Sequence, residues 1–215
     1  MLRPAGVRAL DPCGRAVSYV EELDAVLDHV GADHAVLVGC SMGGRVVLDY
    51  ALAHPERVAA LVPVAAVVSG QRLSLSGWRE LAAAVKAGDH DRIAEVALRI
   101  WAPLRTDPGV DARIRQLVVE NVSGIATMGA MWRDGPPAYG RLHEVGVPTL
   151  VVVGDRDQPD HLRTAKLLAA EVTGARLAVL AGVDHNVPVR AGWALTDLLA
   201  GFLDQLNHPH WRRLL

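Results

Sequence analysis

Three short stretches of this 215-residue chain hold residues that could do chemistry together. The first is Gly39-Cys40-Ser41-Met42-Gly43-Gly44. A serine flanked at two residues on each side by glycine, between a strand and a helix, is a nucleophile elbow. The turn is too tight for side chains at the glycine positions, so the serine is held strained with its hydroxyl exposed. The N–H of Met42, at the helix start, then points where an oxyanion would form. The second stretch is Gly154-Asp155-Arg156-Asp157-Gln158-Pro159-Asp160. One of its carboxylates could orient a histidine base and stabilise its charged form. Asp160 reads as the cap of the next helix, the ordinary use of a loop aspartate. The third is Ala181-Gly182-Val183-Asp184-His185-Asn186, where His185 follows a strand. His34, His54, His143 and His161 lie before strands, at helix ends or on connections, and His208 and His210 fall in the tail. Serine, carboxylate and histidine suffice for acyl transfer with no metal or organic cofactor. No metal-ligand spacing, G-x-G-x-x-G or Walker loop is present.

For these residues to meet, three loops must reach one edge of a sheet. Ser18 followed by Glu21 is a capping box, and Leu23, Val26, Leu27 and Val30 form an apolar stripe that Gly31 ends. Ala35–Gly39 is a uniformly apolar strand, the kind buried on both faces of a parallel sheet. Arg45–His54 is a helix closed by Pro55, and Val58–Val68 a second buried strand. From Gly70 to about Arg141 there is no strand-like run. Trp78–Ala87, Asp91–Trp101, Val110–Val122 and Ile125–Trp132 read as helices, with Asp89 and Asp107 as N-caps and Pro108 in a first turn. Strand Thr149–Val153, helix His161–Val172, strand Arg176–Leu180 and helix Gly192–Leu206 follow. Strands alternating with helices predict an α/β fold with a parallel sheet. Right-handed crossovers gather the loops after Val38, Val153 and Leu180 at one edge.

The chain resembles the α/β-hydrolase family, in particular its small-molecule esterase, lactonase and carbon–carbon hydrolase branch. The likeness is densest at VLVGCSMGGRVVLDYALAHPERVAALVPVAA and VPTLVVVGDRDQPD, with support from LAVLAGVDHNVPV. It implies Ser41 as nucleophile, His185 as base and Met42 as oxyanion donor. Asp157 would be the acid, three residues after the matching Gly154, with Asp155 as runner-up. It further implies a hydrolase core over 1–69 and 142–215 with an inserted helical cap over 70–141. Trp78, Trp101, Met128, Met131 and Trp132 are candidates for pocket walls, or else hold the cap to the core. An apolar ester or lactone would suit them; carbon–carbon hydrolases and cofactor-free peroxidases share the same residues. Serine at the elbow argues against haloalkane dehalogenases, which use aspartate there. Cys40 reads as a small buried filler. Asp184 stands where the family commonly has glycine, and either raises the basicity of His185 or faces solvent.

Composition narrows the partners. The 22 basic and 24 acidic residues give a net charge of −2, with no basic block to follow a phosphate backbone, so nucleic acid is not expected. The longest strongly apolar run, Val58–Val68, contains Pro63 and is short of the roughly 18 residues that span a bilayer. Without a signal-peptide core near Met1, a cytoplasmic protein acting on a small molecule is expected. The family also carries strands before the elbow and a His-Gly loop that donates a second oxyanion N–H. No such loop precedes Ser41, so the sheet reads as N-terminally truncated and Ala35–Gly39 as an exposed edge. Three readings stay open: a start upstream of Met1, a partner or second copy covering the edge, or a non-catalytic small-molecule-binding relative.

Overall fold

The computed structural model describes residues 18–74, 76–127 and 135–206. Helix α1 (Tyr19–His29) leads into strand β1 (Ala35–Cys40), helix α2 (Met42–Ala53) and strand β2 (Val58–Val64). Helices α3 (Trp78–Ala87), α4 (His90–Trp101), α5 (Pro108–Glu120) and α6 (Val122–Thr127) follow. The chain then returns through strand β3 (Leu150–Gly154), helix α7 (Pro159–Glu171), strand β4 (Arg176–Leu180), the single turn α8 (Val187–Arg190) and helix α9 (Gly192–Gln205).

The four strands are parallel and ordered β1-β2-β3-β4. Alternate residues of each strand feed opposite faces. Leu61, Val151 and Val153 pack with Leu48, Tyr50 and Leu168 beneath α2 and α7. Ala60, Val62, Leu150 and Val152 pack with Leu195 and Phe202 of α9. Helix α1 is opened by the expected capping box: the Glu21 N–H donates to Ser18 Oγ at 3.0 Å and the Ser18 N–H to the Glu21 carboxylate at 3.3 Å. It is tied to the rest through Asp24, which accepts from the Tyr50 hydroxyl at 2.7 Å and from Arg57 at 2.6 Å.

The sequence expectations hold for the sheet and need adjustment at several ends. β2 stops at Val64, four residues before the apolar run does, because Ala65 turns into the left-handed region at φ 44. Its N–H still donates to the Val152 carbonyl at 2.7 Å. Ala65–Val68 stay buried beyond the strand, Ala66 and Val68 in the cluster that holds Leu48 and Tyr50 of α2, so the run recorded burial and not strand length. Helix α7 begins at Pro159, and Asp160 is not its cap: its side chain accepts from the Ser74 N–H and pairs with Arg163. The fourth helix of the middle block, expected at Ile125–Trp132, lies at Val122–Thr127, with its expected end outside the described residues. Helices α3, α4 and α6 share a cluster of Leu81, Ala84, Ile93, Val96 and Ile100. Among the described residues β1 pairs with β2 alone, and Val38 on it is 48% exposed. No helix among the described residues is long and apolar enough to cross a membrane.

Candidate active site

The elbow is built by close approach. Ser41 follows β1 directly and adopts φ 54, ψ −113, a conformation that costs a non-glycine residue of order 1–3 kcal/mol. Its N–H donates to the Val64 carbonyl at 2.8 Å, pinning the turn to the neighbouring strand. A Cβ on Gly39 would lie 2.2 Å from the Gly43 carbonyl oxygen, and one on Gly44 2.5 Å from the Ala66 Cβ. A Cβ on Gly43 meets nothing within 4 Å. Thus the second motif glycine is spared, and the glycine after it carries the constraint. Met42 is the first residue of α2, where the backbone N–H has no intrahelical acceptor.

The acid and base loops are joined to each other. Gly154 ends β3 where an added Cβ would lie 2.1 Å from the Val183 carbonyl oxygen. That closeness lets the Asp155 N–H reach the Leu180 carbonyl at 3.0 Å and the Arg156 N–H the Val183 carbonyl at 2.9 Å. Asp155, the runner-up acid, accepts from the Gly182 N–H at 2.7 Å and so fixes the loop carrying His185. Asp157 is the carboxylate that meets the histidine: Oδ2 lies 2.9 Å from His185 Nδ1, and His185 Nε2 lies 2.8 Å from Ser41 Oγ. With the proton on Nδ1, His185 donates to Asp157 and accepts from the serine hydroxyl.

A second histidine shares the carboxylate. His161, in the first turn of α7, places Nδ1 2.9 Å from Asp157 Oδ1, and its ring stacks on His185 at 4.4 Å between centroids. The Gln158 N–H also donates to Oδ1, at 2.7 Å. Burial alone would push the Asp157 carboxyl up. Hydrogen bonds from His161 and then His185 outweigh it and hold the group well below the usual carboxylate range. Sequence reasoning set His161 aside as a helix-end residue; its place in the first turn of the helix that follows the acidic loop, four residues after Asp157, is the signal that could have found it. Asp157, His161 and His185 are also grouped closely enough to hold a metal ion, with ligand atoms within 4.8 Å, although both Nδ1 atoms are engaged by the carboxylate.

The neighbours of the site resolve other expectations. Burial and the nearby Asp157 charge push the Cys40 thiol up to about 12, so it holds its proton and is no second nucleophile. Asp184 does not face solvent. It is fully buried and pairs with Arg190 Nε at 2.8 Å. Arg190 also donates to the Leu104 carbonyl at 3.0 Å and pairs with Asp111 of α5 at 3.0 Å. Asn186 Nδ2 donates to the Trp101 carbonyl at 2.7 Å, and Gln158 Nε2 to the Ile100 carbonyl at 3.0 Å. The end of α4 and the segment after it are therefore strapped onto both loops. Trp101 lies beside the base, its ring 6.2 Å from that of His185. Trp78 packs with the Leu81–Ile93 cluster, and Met128, Met131 and Trp132 lie outside the described residues.

The comparisons with known proteins agree with this architecture. A monoacylglycerol lipase of Xenopus laevis is 23% identical over 192 residues, 80% of this chain and 56% of that protein. The chain thus spans little more than half the length of that relative. The 2-hydroxymuconate semialdehyde hydrolase of Pseudomonas sp. (strain CF600) is 30% identical over 209 residues, 88% of this chain and 69% of the hydrolase. The crystal structure of an esterase from Rhodococcus sp. ECU1013 superposes with a TM-score of 0.78 at 20% identity, covering 96% of this chain and 79% of the esterase. The family described as the alpha/beta hydrolase fold matches residues 11–189, and the chain belongs to that family.

Proposed function

We propose that this chain carries the catalytic machinery of a serine hydrolase acting on a small, apolar ester or lactone through an acyl-enzyme. The observation that supports it is the unbroken hydrogen-bonded line from Ser41 Oγ to His185 to Asp157, at 2.8 and 2.9 Å, ending on a serine in a strained elbow. In the first half-reaction Ser41 Oγ bonds to the substrate carbonyl carbon while its proton passes to His185 Nε2. The ionised Asp157 holds the imidazole in its tautomer and stabilises the imidazolium. His185 then gives the proton to the leaving oxygen as the carbonyl–oxygen bond breaks. Water, deprotonated by the same nitrogen, attacks the acyl-serine; the carboxylic acid leaves and Ser41 regains its proton. The Met42 N–H stabilises the oxyanion at each tetrahedral stage. Trp101 supplies an apolar surface beside the base, which favours an apolar acyl group.

A fluorophosphonate probe tests the reading. It should label Ser41 in the wild type and not in Ser41→Ala, and p-nitrophenyl ester turnover should fall by on the order of 10⁴-fold or more with that substitution. A folded wild-type protein that neither reacts with the probe nor turns over any ester would overturn it, and would favour a protein that binds small molecules without reacting. Because the relative from Pseudomonas is named for 2-hydroxymuconate semialdehyde, that compound is the second substrate to assay.

A further inference from the structure

We propose that His161 is a positioning residue for the same reaction, one that sets the orientation of Asp157 and through it the basicity of His185. The inference rests on the serine-hydrolase reading and adds a fourth member to its hydrogen-bonded line. Asp157 presents one oxygen to each imidazole: Oδ1 to His161 at 2.9 Å and Oδ2 to His185 at 2.9 Å. The His161 side chain is 1% exposed and that of Asp157 not at all, so no water competes for the contact at ordinary cost. The Gln158 N–H, at 2.7 Å, shares Oδ1 with His161. Held by both donors on Oδ1 and by His185 on Oδ2, the carboxylate has a fixed plane, and the His185 ring that it orients is fixed with it.

The second consequence is electrostatic. A donor on Oδ1 draws negative charge away from Oδ2, so Asp157 stabilises the His185 imidazolium less than a carboxylate bonded to one imidazole would. Removing that donor would leave more negative charge on Oδ2, the oxygen that faces His185. The direction is the same whether the His161 ring is neutral or charged, since a cation stacked 4.4 Å from His185 also disfavours the imidazolium. The other ionisable groups around this centre come in balanced pairs or keep their protons. Asp184 is paired with Arg190 on the base loop, Asp160 with Arg163 on α7, and Cys40 of β1 is a neutral thiol. Asp155, on the acid loop, lies by Arg156 and accepts from Gly182. None of these pairs with the Asp157 carboxylate as His161 does.

The test compares His161→Phe, which keeps a ring and removes the donor, with His161→Asn, whose side-chain N–H can occupy the Nδ1 position. In His161→Phe the titration of His185, followed by NMR of its ring, should move to higher pH. The acid limb of kcat/KM for a p-nitrophenyl ester should move with it, and kcat should fall about tenfold with KM little changed. His161→Asn should return the titration and the pH profile toward wild type. A folded His161→Phe protein with unaltered His185 titration and unaltered profile would overturn the proposal. So would equal profiles for His161→Asn and His161→Gln, the comparison that decides if the Phe variant does not fold. Failure of the underlying reading is distinguishable: it would show as absent fluorophosphonate labelling in the wild type itself, with the His185 titration still responding to position 161.

Discussion

Gly43 and Gly44 are adjacent in the elbow and answer to different constraints. An alanine at Gly44 must push its Cβ into Ala66, 2.5 Å away, in a part of the chain that is almost fully buried. Gly44→Ala should therefore lower stability by about 1–3 kcal/mol, measured by urea denaturation. It should reduce ester turnover as well, since the clash lies three residues from Ser41. Gly43→Ala should be neutral or stabilising by up to ~1 kcal/mol, because the position is open and lies in the first turn of α2. A loss at Gly43 as large as at Gly44 would refute this steric account. The motif pattern itself predicts the reverse weighting, since it names Gly39 and Gly43. At this scale Ser41 and His185 were singled out by residue type and loop position, whereas Asp157 was separated from Asp155 only by the family resemblance. His161 was not singled out, because its role depends on which way one face of α7 points, and the same spacing occurs on many solvated helices.

At the scale of elements, the helical block and the base loop are held together by buried charge. Asp184 is fully buried, and the Arg190 side chain, 4% exposed, bridges it to Asp111 and to the Leu104 carbonyl. Arg190→Met would leave the buried Asp184 carboxylate with the Asn186 and Leu104 N–H groups but without its cation, at a cost of about 3–5 kcal/mol. The double variant Asp184→Asn, Arg190→Met should cost clearly less than the sum of the two singles. Thermal or urea unfolding of all three proteins measures this; simple additivity would mean that Asp184 and Arg190 are not coupled. Helix positions were readable from caps and spacing: Asp89 and Asp107 accept from the Arg92 and Val110 N–H groups at 2.9 and 2.8 Å. The end of β2 was not readable, because Val67 and Val68 are as apolar and as buried as the strand, Val68 in the cluster that holds Leu48 and Tyr50 of α2. Nor was the turn Val187–Arg190, too short to show a period.

For the whole molecule, the parallel direction of the four strands followed from the alternation of elements; among the described residues β1 has a strand on one side only. Along that edge Val38 is 48% exposed, and nearby α1 leaves Val26 and Val30 48% and 65% exposed. A strand edge with unpaired N–H and carbonyl groups is a template for a second chain. Sedimentation velocity should show association rising with concentration, and Val38→Lys should shift the protein toward monomer without loss of ester turnover. A wild-type protein monomeric across the accessible range would remove self-pairing from consideration.

The sheet also divides the candidate site. Ser41 follows β1 and is pinned to β2, while Asp157 and His185 follow β3 and β4, whose loops are bonded to each other. The two pairs meet where Leu61 lies beside Thr149 and Val64 beside Val152. Neither half holds all three residues, so the Ser41–His185 distance is a gauge of that seam. Any slippage between the halves is registered there as a lost proton path, even when each half keeps its own internal geometry.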